Sequence, residues 1–296
     1  MKNLIRVSKF FFFKTQKEKL FVLKKLKKGN PVPLFLYILY RLRLTSFIFV
    51  TRKYYKIKLS YSPYALWLYF HKDVIRKEEE FVNFFLEKGD TFIDAGAHLG
   101  TVAFTASRVI GNSGRVIAIE PHPKTFSHLK ENSRLTFYKN IQLINAGVGE
   151  KEGFISITSS YVSDMNYIGD TGIRVRIMTL RDLCLNIKKI TLLKLDVEGF
   201  ELQALRGFGN DLQKVEGILF ESSPSSFERY HYKLRDITLY LQMRGYSLYR
   251  MKESSPQELI SINVDHVTKT RYEDLVALTH FGKIRFEKKG GKITSL

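Results

Sequence analysis

The chain has 296 residues, enough for one large α/β domain or a domain with an appendage, and at 44% hydrophobic it has the means to bury a substantial core. Its single cysteine, Cys184, excludes an intramolecular disulfide and a cysteine-rich zinc cluster, and points to a reducing, cytoplasmic compartment. The net charge of +19 is unevenly spread: residues 1–58 carry 16 Lys and Arg against one acid, Glu18, while the remaining 238 residues carry 32 against 28. A body of residues 59–296 is thus close to neutral, which argues against nucleic acid as its partner, and the basic character belongs to an N-terminal appendage over 1–58.

The appendage interleaves cations with bulky apolar groups, in "KFFFFKTQKEKLFVLKKLKKG" and then "PLFLYILYRLRLTSFIFV". Lys14, Lys17 and Lys19 interrupt any signal-peptide core, and no small-residue cleavage site follows. The apolar run Leu34–Tyr40 is too short to span a bilayer, and Arg41 and Arg43 would fall mid-span. Two readings stay open. The segment is a basic, aromatic helix lying on an anionic membrane surface, each cation contributing about 1 kcal/mol, so that the protein is peripheral on the cytoplasmic face. Alternatively it is a helical lid with solvated lysines.

From about Ser60 the texture changes. "HKDVIRKEEEFVNFFLEKG" predicts a helix, with Val74, Phe81, Phe84 and Phe85 at helical intervals and Gly89 closing it. Strands and helices then alternate: "TFIDAG" strand, "TVAFTASRVIG" helix, "RVIAIEP" strand, "KTFSHLKENSRLTF" helix, "IQLINAGV" strand. "GFISITSS" and "IRVRIMTL" suit a hairpin joined by the polar segment Tyr161–Gly172. "ITLLKLDVE" is a strand, "FELQALRGFGNDLQ" a helix, "VEGILFESS" a strand and "FERYHYKLRDITLYLQMRG" one helix, with "YSLYRMK" and "EDLVALT" as late strands. This order predicts an α/β fold, doubly wound around a mainly parallel sheet with helices on both faces, a three-layer sandwich.

In "FIDAGAHLG" a strand feeds a glycine turn and a helix, the place where open α/β sheets bind ligands. The pattern Asp94-x-Gly96-x-x-x-Gly100 is not the GxGxxG of a dinucleotide site, and the carboxylate of Asp94 would repel a phosphate. It suits a ligand with an α-amino group and a sulfonium centre. Glu120, 20 residues past Gly100 at the next strand end, is placed to accept hydrogen bonds from both hydroxyls of a ribose. Asn145 and Ala146, in "NAGVGEKEG", would then lie beside the adenine, unless they form a plain strand-to-turn transition.

In "KLDVEGFELQALRG", Lys194, Asp196 and Glu198 stand at period two and so face one side at the carboxyl edge of the sheet. Three ionisable groups after the apolar "ITLL" are costly unless they pair or perform chemistry. An ion-pair network is the plain reading, and a catalytic cluster the functional one. Glu221, ending "ILFESS", is a further candidate for the same pocket, and His98 is the one histidine considered as a base. A divalent ion bridging Asp196 and Glu198 stays open, although two carboxylates without a third ligand are a weak set and no metal ligands are assigned.

Asp94–Gly100, "EPHP" at Glu120–Pro123 and "KLDVEG…LRG" together resemble the FkbM family of S-adenosylmethionine-dependent methyltransferases, over roughly residues 75–280. The resemblance implies the class I methyltransferase sheet of seven strands, the last antiparallel, and O-methylation of a hydroxyl on a sugar, glycan, lipid-linked acceptor or secondary metabolite. It implies that Asp94, Gly96 and Gly100, with Ala97 and His98 between them, hold the methionine end. Glu120 and Pro121 would take the ribose, and Asp196 and Glu198, tuned by Lys194, the reaction centre. His98 departs from the family, which more often has Asn there. Two other functions compete: an N-methyltransferase of RNA or protein with the appendage as its binding arm, and a non-catalytic module that binds S-adenosylmethionine. The lack of an N-P-P-[YF]-type motif after the fourth strand makes nucleic acid the weaker partner.

Overall fold

A computed structural model of the chain describes residues 34–35, 38–39, 42, 44–45, 47–58, 68–69, 71, 76–158, 172–263 and 273–295. The chain divides into two compact units, one of residues 1–50 and 58–72, the other of 51–57 and 73–296. In the first, Leu34, Phe35, Ile38 and Leu39 are helical. Most of the basic appendage and nearly all of the Tyr161–Gly172 segment lie outside the described residues. Short strands β1 (Phe49–Thr51) and β2 (Lys56–Lys58) fall where the chain passes between the units.

The second unit carries helix α1 (Lys77–Phe85) and then β3 (Thr91–Ala95), α2 (Thr101–Ile110), β4 (Arg115–Ile119), α3 (Pro123–Ser133) and β5 (Ile141–Ile144). Next come β6 (Gly147–Val148), β7 (Gly153–Ile157), β8 (Ile173–Met178), α4 (Leu180–Leu183), β9 (Ile190–Leu195) and α5 (Glu201–Phe208). A 3-10 turn, Gly209–Lys214, leads to β10 (Val215–Ser222), α6 (Pro224–Arg229), α7 (Leu234–Gln242), β11 (Ser247–Lys252) and β12 (Ser255–Ser261). The chain ends with β13 (Glu273–Leu278), α8 (His280–Lys288) and β14 (Lys292–Thr294).

The main sheet runs β14-β12-β11-β13-β10-β9-β3-β4-β5. Seven of its strands, β5 to β11 in that order, form the class I arrangement: β5, β4, β3, β9 and β10 are parallel, and β13 is antiparallel to both β10 and β11. Every residue of β9 is buried, as a central strand covered on both faces requires. Beyond the expected seven, β12 and β14 extend the β11 edge. β12 evades a strand pattern because Pro256 interrupts it, and the ladder tolerates that proline at a register shift beside Met251 and Lys252. β7 and β8 pair antiparallel, as expected, in a separate small sheet with β6.

Two expected elements are divided. "IQLINAGV" breaks at Asn145 into β5 and β6, which belong to different sheets. The single helix expected over "FERYHYKLRDITLYLQMRG" is two, α6 and α7, parted where His231 takes φ 58°. That break turns Tyr232 inward, where its hydroxyl donates to the Gly199 carbonyl at 2.7 Å. A helical periodicity carries no mark of such a tertiary partner.

Candidate active site

β3 stops at Ala95 because the next residues leave extended geometry: Gly96 has φ 85°, His98 49° and Gly100 95°. The amides of Gly96 and Ala97 both donate to the Ile119 carbonyl, at 3.0 and 2.9 Å, which clamps the turn onto β4. The Asp196 amide donates to the Ala95 carbonyl at 3.0 Å, bringing the end of β9 alongside. A Cβ at Gly96 would lie 1.8 Å from the Asp196 carbonyl oxygen, so this close crossing of two backbones admits only glycine. Gly100 then opens α2, whose apolar stripe buries Val102, Ala103, Phe104 and Ala106.

Glu120, just past β4, is buried and accepts from the backbone amides of His98 (3.0 Å) and His122 (2.9 Å), one on each oxygen. Burial pushes its carboxyl up, against the pull of His98 and of these amides. A carboxylate has about four lone-pair sites, so each oxygen keeps room for a hydroxyl donor. Asn145, in the break between β5 and β6, is exposed and donates to the carbonyls of Glu120 (2.8 Å) and Pro121 (3.1 Å). It thus holds the "EP" backbone, while Ala146 beside it is buried.

Lys194 lies in register with Asp94 across β9 and β3. Its Nζ donates to Asp196 Oδ2 at 2.9 Å and sits 3.6 Å from Asp94 Oδ1, a charge contact rather than a hydrogen bond. Exposure rises along the row, from 1% for the Asp94 side chain through 5% for Lys194 to 27% for Asp196. Burial raises the Asp94 carboxyl above its ordinary range, even against the pull of Lys194. Burial alone would lower the Lys194 ammonium, but Asp196 and Asp94 hold it firmly protonated. Burial would likewise raise Asp196, yet Lys194 overrides it and keeps that carboxyl below the usual range, ionised and facing outward.

The strand reading of "KLDVE" needs correction at its end. β9 stops at Leu195, and Glu198 lies on the following turn with φ 56°, so its direction is set by the turn and not by the pleat. That turn is fixed from below by Glu201, a buried carboxylate accepting from the amides of Val197 (3.1 Å) and Gly199 (3.3 Å). Tyr232 Oη lies 3.1 Å from its other oxygen. Burial pushes Glu201 up to about 7 despite those amides. Glu221 lies one residue before the end of β10, buried, and is the register neighbour of Asp274 on β13. Asp274 is pushed up to about 8, by burial and then by the like charges of Glu78 and Asp196.

Glu78 comes from the first turn of α1 and pairs with Arg76 at 2.6 Å. Its neighbour Glu79 turns the other way, accepting from the Tyr55 hydroxyl at 2.9 Å and lying 4.0 Å from Arg52, and so ties α1 to residues 52–55. Sequence reasoning missed Arg76, Glu78, Glu201, Tyr232 and Asp274. Glu201 carried a signal, three residues past Glu198 in the same turn motif. Glu78 is one of three consecutive glutamates, and Asp274 lies in a strand read only for its apolar residues, so neither stood apart. Among the described residues, no group of three or more His, Cys, Asp or Glu side chains is arranged to hold a metal ion.

The donor set fits S-adenosylmethionine. Asp94 offers two buried oxygens with no hydrogen-bond partner to a cationic amino-acid end, and Glu120 keeps acceptor sites for a diol. The family model described as the methyltransferase FkbM domain matches residues 94–248, from the Asp94 turn to β11. A hexuronic acid methyltransferase, AglP, of Haloferax volcanii is 30% identical, the match covering 50% of this chain and 63% of that protein. Methyltransferase 1 of Beauveria bassiana is 27% identical over 41% of this chain and 60% of its own. The chain thus spans about three fifths of these relatives' lengths. Among solved structures, a precorrin-6y C5,15-methyltransferase of Geobacter metallireducens is similar at 12% identity, covering 70% of this chain and 88% of that one with a TM-score of 0.40. With its signature residues gathered at the carboxyl edge of a class I sheet and the family's domain matched over more than half its length, the chain belongs to the FkbM methyltransferase family.

Proposed function

We propose that the protein is an S-adenosylmethionine-dependent O-methyltransferase acting on a hydroxyl of a sugar, glycan or similarly hydroxylated acceptor. The observation that carries this is the graded row Asp94–Lys194–Asp196, in which only the last carboxylate reaches the surface and does so ionised. Asp94, Gly96, Ala97 and His98 would hold the methionine end, Glu120 and Pro121 the ribose, and Asn145 and Ala146 the adenine side. When bound, the cofactor supplies an electrophilic methyl group. Asp196 orients the acceptor hydroxyl and takes its proton, Lys194 keeps Asp196 ionised until then, and Glu198 and Glu221 flank the acceptor. The hexuronic acid methyltransferase among the relatives supports a sugar as acceptor.

Isothermal titration with S-adenosylhomocysteine tests the cofactor reading. The wild type is expected to bind and Glu120→Ala to bind at least about tenfold more weakly, since two hydrogen bonds to a charged group are lost. No binding by the wild type, or equal binding by the variant, rejects it.

The appendage of residues 1–58 supports peripheral attachment to an anionic membrane at the cytoplasmic face. Phe35, Leu42, Leu44, Phe47 and Phe49 are exposed within the stretch that follows its lysine-rich run. Among the described residues, no helix is long and apolar enough to cross a membrane. Full-length protein is expected to float with phosphatidylserine-containing vesicles more than with phosphatidylcholine alone, and less after Phe35→Ser with Phe47→Ser. Equal flotation on both vesicle types counts against it.

A further inference from the structure

The turn that joins β9 to α5 carries two successive residues in the left-handed region, Glu198 at φ 56° and Gly199 at φ 97°. A glutamate resists that conformation, so something must hold it there. At 199 a Cβ would lie 2.7 Å from the Ser226 carbonyl oxygen on α6, so the turn is also pressed against that helix. The turn begins at Asp196, whose amide is bonded to Ala95 and whose carbonyl crosses Gly96. A shift of the turn would therefore move the proposed base.

The hold comes from Glu201, which is 1% exposed. Its Oε1 accepts from the amides of Val197 and Gly199, the two neighbours of Glu198. Its Oε2 faces Tyr232 Oη at 3.1 Å, and the same phenol reaches the Gly199 carbonyl at 2.7 Å. A phenol carries one hydrogen. The shorter contact takes it, so the 3.1 Å contact holds a hydrogen only if the Glu201 carboxyl supplies it. In that acid form Glu201 donates to Tyr232, Tyr232 donates to the Gly199 carbonyl, and the Gly199 amide returns to Glu201.

Ionising Glu201 would strengthen its two amide bonds, because an anion is the better acceptor. It would also leave two oxygens facing each other in a buried site. Burial outweighs the amides and pushes the carboxyl up to about 7, with Asp196 adding a like charge. Asp196 and Glu198 belong to the turn itself, and Tyr232, with Tyr230 beside it, comes from the segment between α6 and α7. A carboxyl raised on folding stabilises the folded form at low pH, and that contribution is lost as pH rises through about 7.

We propose that Glu201 is a positioning residue for methyl transfer, holding the Asp196–Gly199 turn as a neutral acid that shares its proton with Tyr232. This rests on the methyl-transfer reading above and adds to it the group that fixes the reaction-side turn. Glu201→Gln keeps an oxygen for the amides and a donor for Tyr232, whereas Glu201→Ala keeps neither.

Hydrogen exchange of peptides spanning residues 196–200 of the full chain, followed by mass spectrometry, reads the hold without any acceptor. Wild-type protection, corrected for the intrinsic effect of pH on exchange, is expected to fall between about pH 6 and about pH 8. Glu201→Gln should stay protected across that range, and Glu201→Ala should exchange at least about tenfold faster throughout. Transfer of label from methyl-labelled S-adenosylmethionine to a cell extract should follow the same order. If Glu201→Ala does not fold, Tyr232→Phe replaces it and should exchange faster than wild type at the acid end and lose the pH dependence. Glu201→Gln as labile as Glu201→Ala, or protection that rises with pH, shows that the anion holds the turn and overturns the proposal. Equal label transfer by wild type and Glu201→Ala overturns the positioning role. No label from wild-type protein that binds S-adenosylhomocysteine sinks the methyl-transfer reading, and the positioning role with it.

Discussion

Asp196→Asn is expected to lower kcat by about 10²–10⁴-fold, the range that a positioned base supplies, while S-adenosylhomocysteine still binds. The substitution keeps the size of the side chain and an oxygen for Lys194, which also retains Asp94 at 3.6 Å. It removes the charge and the capacity to accept a proton. Because Lys194 holds the Asp196 carboxyl below its ordinary range, the proposed base is ionised throughout neutral pH, and activity should fall only well into acid. Steady-state kinetics on a labelled acceptor, paired with cofactor titration, separate this from a binding defect. A variant that turns over normally would transfer the role to Glu198 or Glu221 and remove Asp196 from the reaction.

Lys194→Met is expected to destabilise the fold by about 3–5 kcal/mol, the usual cost of leaving a buried charge without its partner. The Lys194 side chain is 5% exposed and is the cation placed between Asp94 and Asp196. Asp94 is the more exposed to this loss in energetic terms, since neither of its oxygens has a hydrogen-bond partner and burial already raises its carboxyl. Urea unfolding measures the effect, and adding Asp94→Asn should recover a large part of it by removing the orphaned charge. A loss within about 1 kcal/mol, the size of a surface pair, would show that the site is hydrated and that Lys194 serves chemistry more than structure.

Both predictions depend on the same arrangement, in which one lysine ties Asp94 to Asp196. Asp94 stands in β3 and Asp196 just past the end of β9, strands far apart in sequence that the sheet places side by side. Glu201 serves that arrangement from beneath, holding the turn that carries Glu198.

Much of this was legible in one dimension because the signals are local. The apolar runs of β3, β4, β9 and β10 mark strands buried on both faces. The Asp94–Gly100 spacing marks a turn, and Lys194 and Asp196 at period two mark a shared side. Residues whose partners are distant were not legible in that way. The break between α6 and α7 turns Tyr232 to a carbonyl at Gly199, 33 residues away. Glu198 leaves the strand because the backbone turns with φ 56° above Glu201.

The sequence by itself carried the α/β class and the succession of strands and helices, since these are written in spacing and periodicity along each segment, and its Asp94, Glu120 and Lys194–Asp196 motifs carried the resemblance to the family. Only the tertiary structure decided that Arg76, Glu78 and Asp274 join the same centre, that Glu201 and Tyr232 hold its turn, and that two further strands widen the sheet. Charge repulsion, burial and strand register act between residues up to 200 positions apart, and such interactions exist only once the chain has folded.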